Sequence, residues 1–411
     1  MRLRLNNKYY LYPFLLLTIP IVIDTLTGIG RGNDGTGESK VGILFRGIVI
    51  LLSIQYLYKY RYAKYTFSLL SILFFCLLFQ IVIQLSSFSI ISQTTKILFL
   101  YFNLAILLKS RYFKNTSYIA DCAIYYGVGA SIILLVCHFF NLGYTSYTDE
   151  TFGTKGFFVA MNDVGLSIIL LNGLSLMYYE KTKQLKYLLY SVIMFVGCAF
   201  VGSMACYGGS LILIILFIIS LFYNFKDFKP SKKLKLTITS TLLLILFYAI
   251  GAIIIIIQED AYLSSKYDDI FETLSQVSGR DFLIKAGVKV MNQFSLSDWI
   301  FGQGETFNVN IQHRLQMGAP KAIEVDQLDL LGNYGFFFSF LILIFPIIHL
   351  LKSIKLFFIY KSIDYYWICI GLIIFLGHSF YGGHAYTSPL VQTFLAVYIY
   401  LLLNLKQNNY K

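Results

Sequence analysis

The sequence predicts an all-α polytopic membrane protein, and three observations lead to this fold class. Hydrophobic residues make up 57% of the 411 residues and charged residues only 13%, about half the charge of a soluble domain. Apolar runs of about twenty residues recur along the chain, each long enough to cross a bilayer as a helix. Basic residues gather in the short segments between these runs, as the positive-inside rule requires.

About twelve transmembrane helices account for the apolar runs. Read as one helix, the stretch 187–223 would exceed about thirty residues, so the small residues at 203–208 predict a reversal there. The first run follows a basic terminus but lacks a small-residue cleavage site, which indicates a retained span. The predicted spans are 9–24, 41–58, 66–86, 91–108, 116–140, 158–179, 187–203, 205–223, 236–257, 328–351, 365–380 and 388–404.

Charge orients these spans. With the N-terminus inside, the inner segments hold 22 of the 33 Lys and Arg residues and three carboxylates, whereas the outer loops hold fourteen carboxylates. This bias predicts that both termini are cytoplasmic. The net charge of +12 then faces anionic lipid headgroups, so membrane lipids are expected partners and nucleic acid is not. None of the six cysteines has metal-ligand spacing, which is typical of buried structural thiols.

The segment 258–327 differs from the rest of the chain because it is long and hydrophilic. It holds ten of the 21 carboxylates, and long structured loops are usually functional or disordered. The sequence therefore predicts a single integral membrane domain, 1–411, that contains a large extracytoplasmic loop with short helices at 258–327. Chemistry is expected first in this loop.

Charged side chains also lie near the outer ends of predicted spans. Arg46 should face protein or water, because an arginine at mid-span costs on the order of 2.5–3.5 kcal/mol on insertion. Extension to headgroups about 8 Å away is the alternative for Arg46, and it is the favoured interpretation for Lys96. Asn162 and Asp163 lie at the depth of Arg46, where Asp163 needs a partner; an Asn–Asp packing network is the simpler interpretation.

Two histidines follow at the end of the eleventh span, in LGHSFYGGHAYTS. His378 is expected to be a packing residue. His384 comes after two glycines at an exposed turn, which favours a role in binding or catalysis.

Within the long loop, VSGRDFLIKAGVKVMNQ has the spacing of an amphipathic helix with Ser278 as its N-cap. Arg280 lies in the first turn, where an exposed helix N-terminus and a guanidinium both attract phosphate. Pairing of Arg280 with a nearby carboxylate is the alternative. The predicted apolar stripe is Phe282, Ile284, Val288 and Met291.

Further along the loop, His313 and Arg314 follow a glycine-rich turn, WIFGQGETFN. Glu324 and Asp326 then come just before the tenth span, at the outer membrane interface. Carboxylates at this position also complement a helix dipole, so their position alone does not establish a role.

Taken together, these features resemble the Wzy-type O-antigen and capsule repeat-unit polymerases, relatives of the O-antigen ligases. The resemblance covers nearly the whole chain. It consists of Arg46 in the second span, KGFFVAMN before the sixth, and a Gly-His pair before the last. The long loop adds SGR, WIFGQG and EVDQLDLLGNYGFFFSF in that order.

The resemblance implies a GT-C-like glycosyltransferase of the bacterial cytoplasmic membrane. Such an enzyme polymerises undecaprenyl-pyrophosphate-linked oligosaccharide repeat units at the outer face, for O-antigen or capsule, with no metal or other cofactor. The implied catalytic residues are Arg280 for the pyrophosphate and Glu324 as general base, with His313 and His384 as alternatives for the base. The implied substrate-binding residues are Arg46, Arg280, Arg314, Asn162 and Asp326.

A flippase and a chain-length regulator of the same pathway are the expected protein partners. Two other functions fit a chain of this kind. A ligase would transfer finished polymer to an acceptor, so its loss would leave long polymer on the carrier lipid. A flippase would be expected to carry its charges in a central cavity and to have short outer loops, unlike the charge concentration at 258–327.

Overall fold

The computed structural model describes residues 8–32, 40–84, 89–145, 153–223, 281–317 and 322–408, and the single residues 225, 231, 236 and 240. Within these residues the chain is helical apart from one small antiparallel sheet, in which β1 (Tyr144–Thr145) pairs with β2 (Thr154–Gly156). The helices are α1 (Lys8–Leu17), α2 (Pro20–Arg31), α3 (Val41–Leu57), α4 (Ala63–Val82), α5 (Ser89–Ile97), α6 (Phe99–Lys109), α7 (Thr116–Phe139), α8 (Met161–Thr182), α9 (Leu185–Val201), α10 (Met204–Phe222), α11 (Asp281–Met291), α12 (Leu296–Phe301), α13 (Glu305–Leu315), α14 (Asp326–Tyr360), α15 (Ile363–Tyr381) and α16 (Pro389–Asn408).

The helices confirm the predicted class of an all-α membrane protein. Seven helical stretches in the described residues are long and apolar enough to cross a membrane, one of them being α1 and α2 taken together. Four shorter apolar helices, namely α3, α6, α9 and the apolar part of α16, fall on further predicted spans. The predicted ninth span at 236–257 lies almost wholly outside the described residues, as does the start of the predicted loop up to residue 280. The total of twelve spans therefore stays a prediction.

Two predicted spans are each divided into two helices. In the first, Pro20 opens α2 after a break at Thr18, whose hydroxyl donates to the Cys122 carbonyl at 2.7 Å. Proline lacks an N–H, so it starts a helix more readily than it continues one. In the fourth predicted span, α5 ends at Ile97 and α6 begins at Phe99. Both divisions place helix ends, with their polar side chains, inside the predicted membrane region.

The predicted reversal between the seventh and eighth spans is confirmed. Helix α9 ends at Val201, and Gly202 takes a left-handed conformation with φ 75°. Ser203 then caps α10 by accepting a hydrogen bond from the Cys206 N–H. A glycine at this position avoids the steric penalty that a side chain pays at positive φ.

Helix α8 is the centre of the bundle and is buried continuously from Val164 to Glu180. At the end where the basic short segments lie, which is called the basic end below, Glu180 accepts hydrogen bonds from Ser220 and from the indole of Trp367. Lys181 forms an ion pair with Asp364 at 2.7 Å beside them. A buried carboxylate with these partners fastens α8, α10 and α15 together at this end.

Helices α11, α12 and α13 form a lobe that packs on the start of α14 around its own small apolar core. The predicted stripe of α11 is wrong in part, because Phe282 and Val288 are 49% and 41% exposed. The reason is Gly287, where an added Cβ would lie 2.2 Å from Ile323, so α11 presents its glycine side to the lobe. The buried residues of α11 are Leu283, Ala286, Val290 and Met291.

A pair of glycines joins the lobe to α14. Gly302 and Gly335 have φ values of 75° and 73°, and each backbone lies against the other segment. Gln80 of α4 is fully buried beneath them and donates to the carbonyls of Phe301 and Asn333, both at 2.7 Å. These contacts explain the glycines in WIFGQG and in GNYGFFF, and they fix the lobe over the cavity described next.

Candidate functional site

Two adjoining cavities lie at the end of the bundle opposite the basic end. The larger, about 590 Å³, is called the polar chamber, and the smaller, about 200 Å³, the cationic chamber. They share four lining residues, Lys96, Ala160, Asp163 and Thr387. The two chambers therefore form one continuous site.

Three basic side chains line the cationic chamber. Arg31 ends α2, Arg46 lies on the first turns of α3, and Lys96 lies near the end of α5. None of the three side chains forms a hydrogen bond or an ion pair with another described residue. Arg46 and Lys96 instead repel each other and Arg31. Like charges held together without a direct hydrogen bond or ion pair from the described residues favour the binding of an anion with several negative charges.

Two partly buried carboxylates border these cations. Asp24 accepts a hydrogen bond from the Tyr126 hydroxyl at 2.9 Å and attracts Arg46. Asp163, at the boundary of the two chambers, accepts a hydrogen bond from Ser388 and attracts Lys96. The two carboxylates offset part of the positive charge, and three cations against two carboxylates leave the chamber with a net positive charge.

Hydrogen-bonding side chains line the polar chamber. Gln93 donates to Glu305 at 3.2 Å across it. The side-chain oxygens of Asn308 and Asn333 are shielded from solvent, and neither accepts a hydrogen bond within the described part of the chain. Buried acceptors are normally paired, so these oxygens are suited to the hydroxyl donors of a ligand.

His384 lies in the wall of the polar chamber, on the turn between α15 and α16. Its φ is 63°, and it follows Gly383, where an added Cβ would lie 2.4 Å from the Glu324 carbonyl oxygen. Asp326 holds this turn by accepting the N–H of Tyr386 at 3.1 Å. Asp163, Asp326 and Asp329 are all close enough to His384 to interact with it electrostatically.

Asp329 fixes the opposite wall. Its carboxylate accepts the backbone N–H groups of Ile323 at 2.8 Å and Glu324 at 3.0 Å. This arrangement gives Asp329 two functions, since it lines the polar chamber and also holds the end of the lobe.

The predicted site residues fall into three groups. Arg46 and His384 line the chambers. Three others, Glu324, Asp326 and Asn162, are adjacent to the chambers without being part of their lining. The backbone N–H of Glu324 donates to Asp329, and Asp326 holds the turn that carries His384. His313 and Arg314 are exposed near the end of α13. Arg280 lies outside the described residues.

Other lining residues were not predicted from the sequence, and Lys96 was expected to extend to the headgroups rather than to line a cavity. Of these residues, Asp24 is the one that the sequence could have indicated, because it lies at the end of a predicted span. A carboxylate within a membrane span is costly to insert and therefore usually marks a functional site. The polar residues of the lobe and of α5 have no sequence spacing that would identify them as part of a site. The unpredicted lining residues with polar side chains include Asp24, Arg31, Gln93, Glu305, Asn308, Asp329 and Asn333.

Among the described residues, no group of three His, Cys, Asp or Glu side chains is arranged to hold a metal ion. No protein-family model and no curated protein matches the sequence. The chemistry of the two chambers, together with the order of features in the sequence, is therefore the basis for a function.

Proposed function

We propose that the protein is a membrane glycosyltransferase that joins lipid-pyrophosphate-linked oligosaccharide repeat units into a polysaccharide, at the outer face of the bacterial cytoplasmic membrane. The observation that carries the proposal is the junction between the cationic and polar chambers at Lys96 and Asp163. A sugar linked to a lipid pyrophosphate presents a multiply charged anion directly beside a polyhydroxylated ring. The two chambers match these two parts in the same order.

The cationic chamber would stabilise the leaving group. When the glycosidic carbon is attacked, its bond to the phosphate oxygen breaks and the electron pair leaves on the lipid pyrophosphate. Arg31, Arg46 and Lys96 are already fixed around the cavity where this charge develops, so little reorganisation is needed. Arg280 remains a predicted further contact for the same pyrophosphate.

The polar chamber would hold the donor sugar next to its pyrophosphate, together with the acceptor sugar that attacks it. Asn308 and Asn333 offer unpaired oxygens to the hydroxyl groups of these sugars, and Glu305 is a further acceptor. The attacking hydroxyl must lose its proton to a base within reach. Of the three predicted candidates for this base, His384 is the one whose side chain lines the chamber.

Glycan profiling of a deletion strain tests this function. The strain is expected to make glycans of one repeat unit, and the wild-type gene is expected to restore long chains. Long polymer accumulating on the carrier lipid would instead indicate a ligase, and repeat units trapped on the cytoplasmic side would indicate a flippase.

Variants test the site. Arg46→Gln and Lys96→Gln are each expected to lower the polymerisation rate about 10²- to 10³-fold, the usual effect of removing a preorganised charge-stabilising group. Lys289→Gln is the matched control, because Lys289 is exposed on α11 and outside both chambers. Normal chain lengths in the Arg46 and Lys96 variants, at normal protein level, would overturn the assignment of the cationic chamber.

A further inference from the structure

A third cavity, of about 450 Å³, lies at the basic end of the bundle, far along α3 from the two chambers. It forms where α1, the last turns of α3 and the segment after α6 meet. Lys109 and Arg111 line it, and its described lining includes no carboxylate. The cavity is therefore positively charged.

Aromatic contacts hold the cavity in shape. Tyr12 and Tyr112 stack with their ring centroids 4.4 Å apart and an interplanar angle of 12°. The Arg111 guanidinium lies 5.0 Å from the centre of the Tyr112 ring and donates to its hydroxyl at 3.0 Å. The Tyr400 hydroxyl donates to the Phe113 carbonyl at 2.7 Å and so anchors the same segment. A site that is already formed loses little entropy when a ligand binds.

The cavity changes from polar to apolar along its length. Gln55, Tyr56 and Ser110 line it beside the two cations. Leu52 and Ile106 line it one turn further towards the middle of their helices. The Leu52 side chain is 41% exposed on the side of the bundle. The apolar side of the cavity thus continues onto the surface that faces lipid.

We propose that this cavity binds an anionic phospholipid of the leaflet at the basic end. The phosphate would lie between Lys109 and Arg111, and an acyl chain would follow Leu52 into the bilayer. Basic pockets between membrane helices are suited to such headgroups. A soluble phosphate would leave the apolar wall without a partner. This inference is independent of the proposed function, because no residue of the two chambers lines the cavity.

The test uses the purified full-length protein in a neutral detergent and follows its thermal unfolding midpoint during titration with phosphatidylglycerol, phosphatidylcholine or inorganic phosphate. Phosphatidylglycerol is expected to stabilise the wild type at a lower concentration than the other two. In the Lys109→Gln/Arg111→Gln double variant, its apparent affinity is expected to fall about 30-fold, since each cation near an anionic lipid contributes roughly a fivefold gain.

Lys59→Gln/Lys64→Gln is the matched control, because both residues are exposed cations of the same end outside the cavity. Leu52→Trp tests the apolar wall without changing charge and is expected to weaken binding of phosphatidylglycerol as well. Equal losses in the two double variants would overturn the proposal. So would equal stabilisation by phosphatidylcholine or by inorganic phosphate, or unchanged binding in a correctly folded Leu52→Trp variant.

Discussion

Gly335→Ala should detach the lobe from the membrane bundle. Gly335 has φ 73° and ψ 179°, a region that residues with a side chain rarely enter. An added Cβ would also lie 2.3 Å from the Ile300 carbonyl oxygen and 2.7 Å from the Gly302 nitrogen. Backbone strain and overpacking each cost about 1–3 kcal/mol, so the substitution should lower the free energy of unfolding by about 2–6 kcal/mol.

The effect is measured on detergent-solubilised protein by the thermal midpoint of its monodisperse peak in size-exclusion chromatography. Limited proteolysis of the segment 281–317 reports on the lobe itself, and cleavage should become faster in Gly335→Ala. Gly377→Ala is the matched control, because an added Cβ at this position of α15 would meet no atom within 4 Å. Equal midpoints and equal cleavage rates in the two variants would refute the reasoning.

Two further predictions concern buried carboxylates. Asp326→Ala should lower polymerisation because the Tyr386 N–H loses its acceptor and the turn that carries His384 is released; Asp326→Asn, which retains an acceptor oxygen, should restore most of the rate. A purely structural role would make both variants equally active per folded molecule. Glu180→Leu should lower the free energy of unfolding by about 1–3 kcal/mol, because the Trp367 indole N–H is left unpaired in the core. The chain-length distribution should not change, since Glu180 lies at the basic end; shortened chains would contradict this separation.

The sequence predicted the parts of the fold that depend on local energetics. Whether a segment inserts depends on its own apolar residues, and its orientation depends on the basic residues beside it. The seven long apolar helical stretches and the reversal at Gly202 agree with that prediction. The requirement that Arg46 face a cavity or protein follows from the same cost of burying a charge, and Arg46 does line the cationic chamber.

The sequence was less informative where a feature depends on contacts between distant segments. The stripe of α11 was misplaced because Ile323, more than thirty residues away, packs against Gly287 and selects the buried face. Lys96 was expected to extend to the headgroups because nothing in the apolar pattern of the sequence shows that its span divides at Leu98. The two unpaired asparagine oxygens become visible as a site only when α13 and α14 are brought together.

The sequence by itself therefore determined the membrane class and the apolar segments that form its long helices, because each of these is a property of one segment. Tertiary structure decided the composition of the site. It brought Arg31, Arg46 and Lys96 to one cavity and placed the His384 turn against Glu324, just before α14. Electrostatic attraction and hydrogen bonding act over a few ångströms in space, and linear spacing does not report which side chains reach that distance.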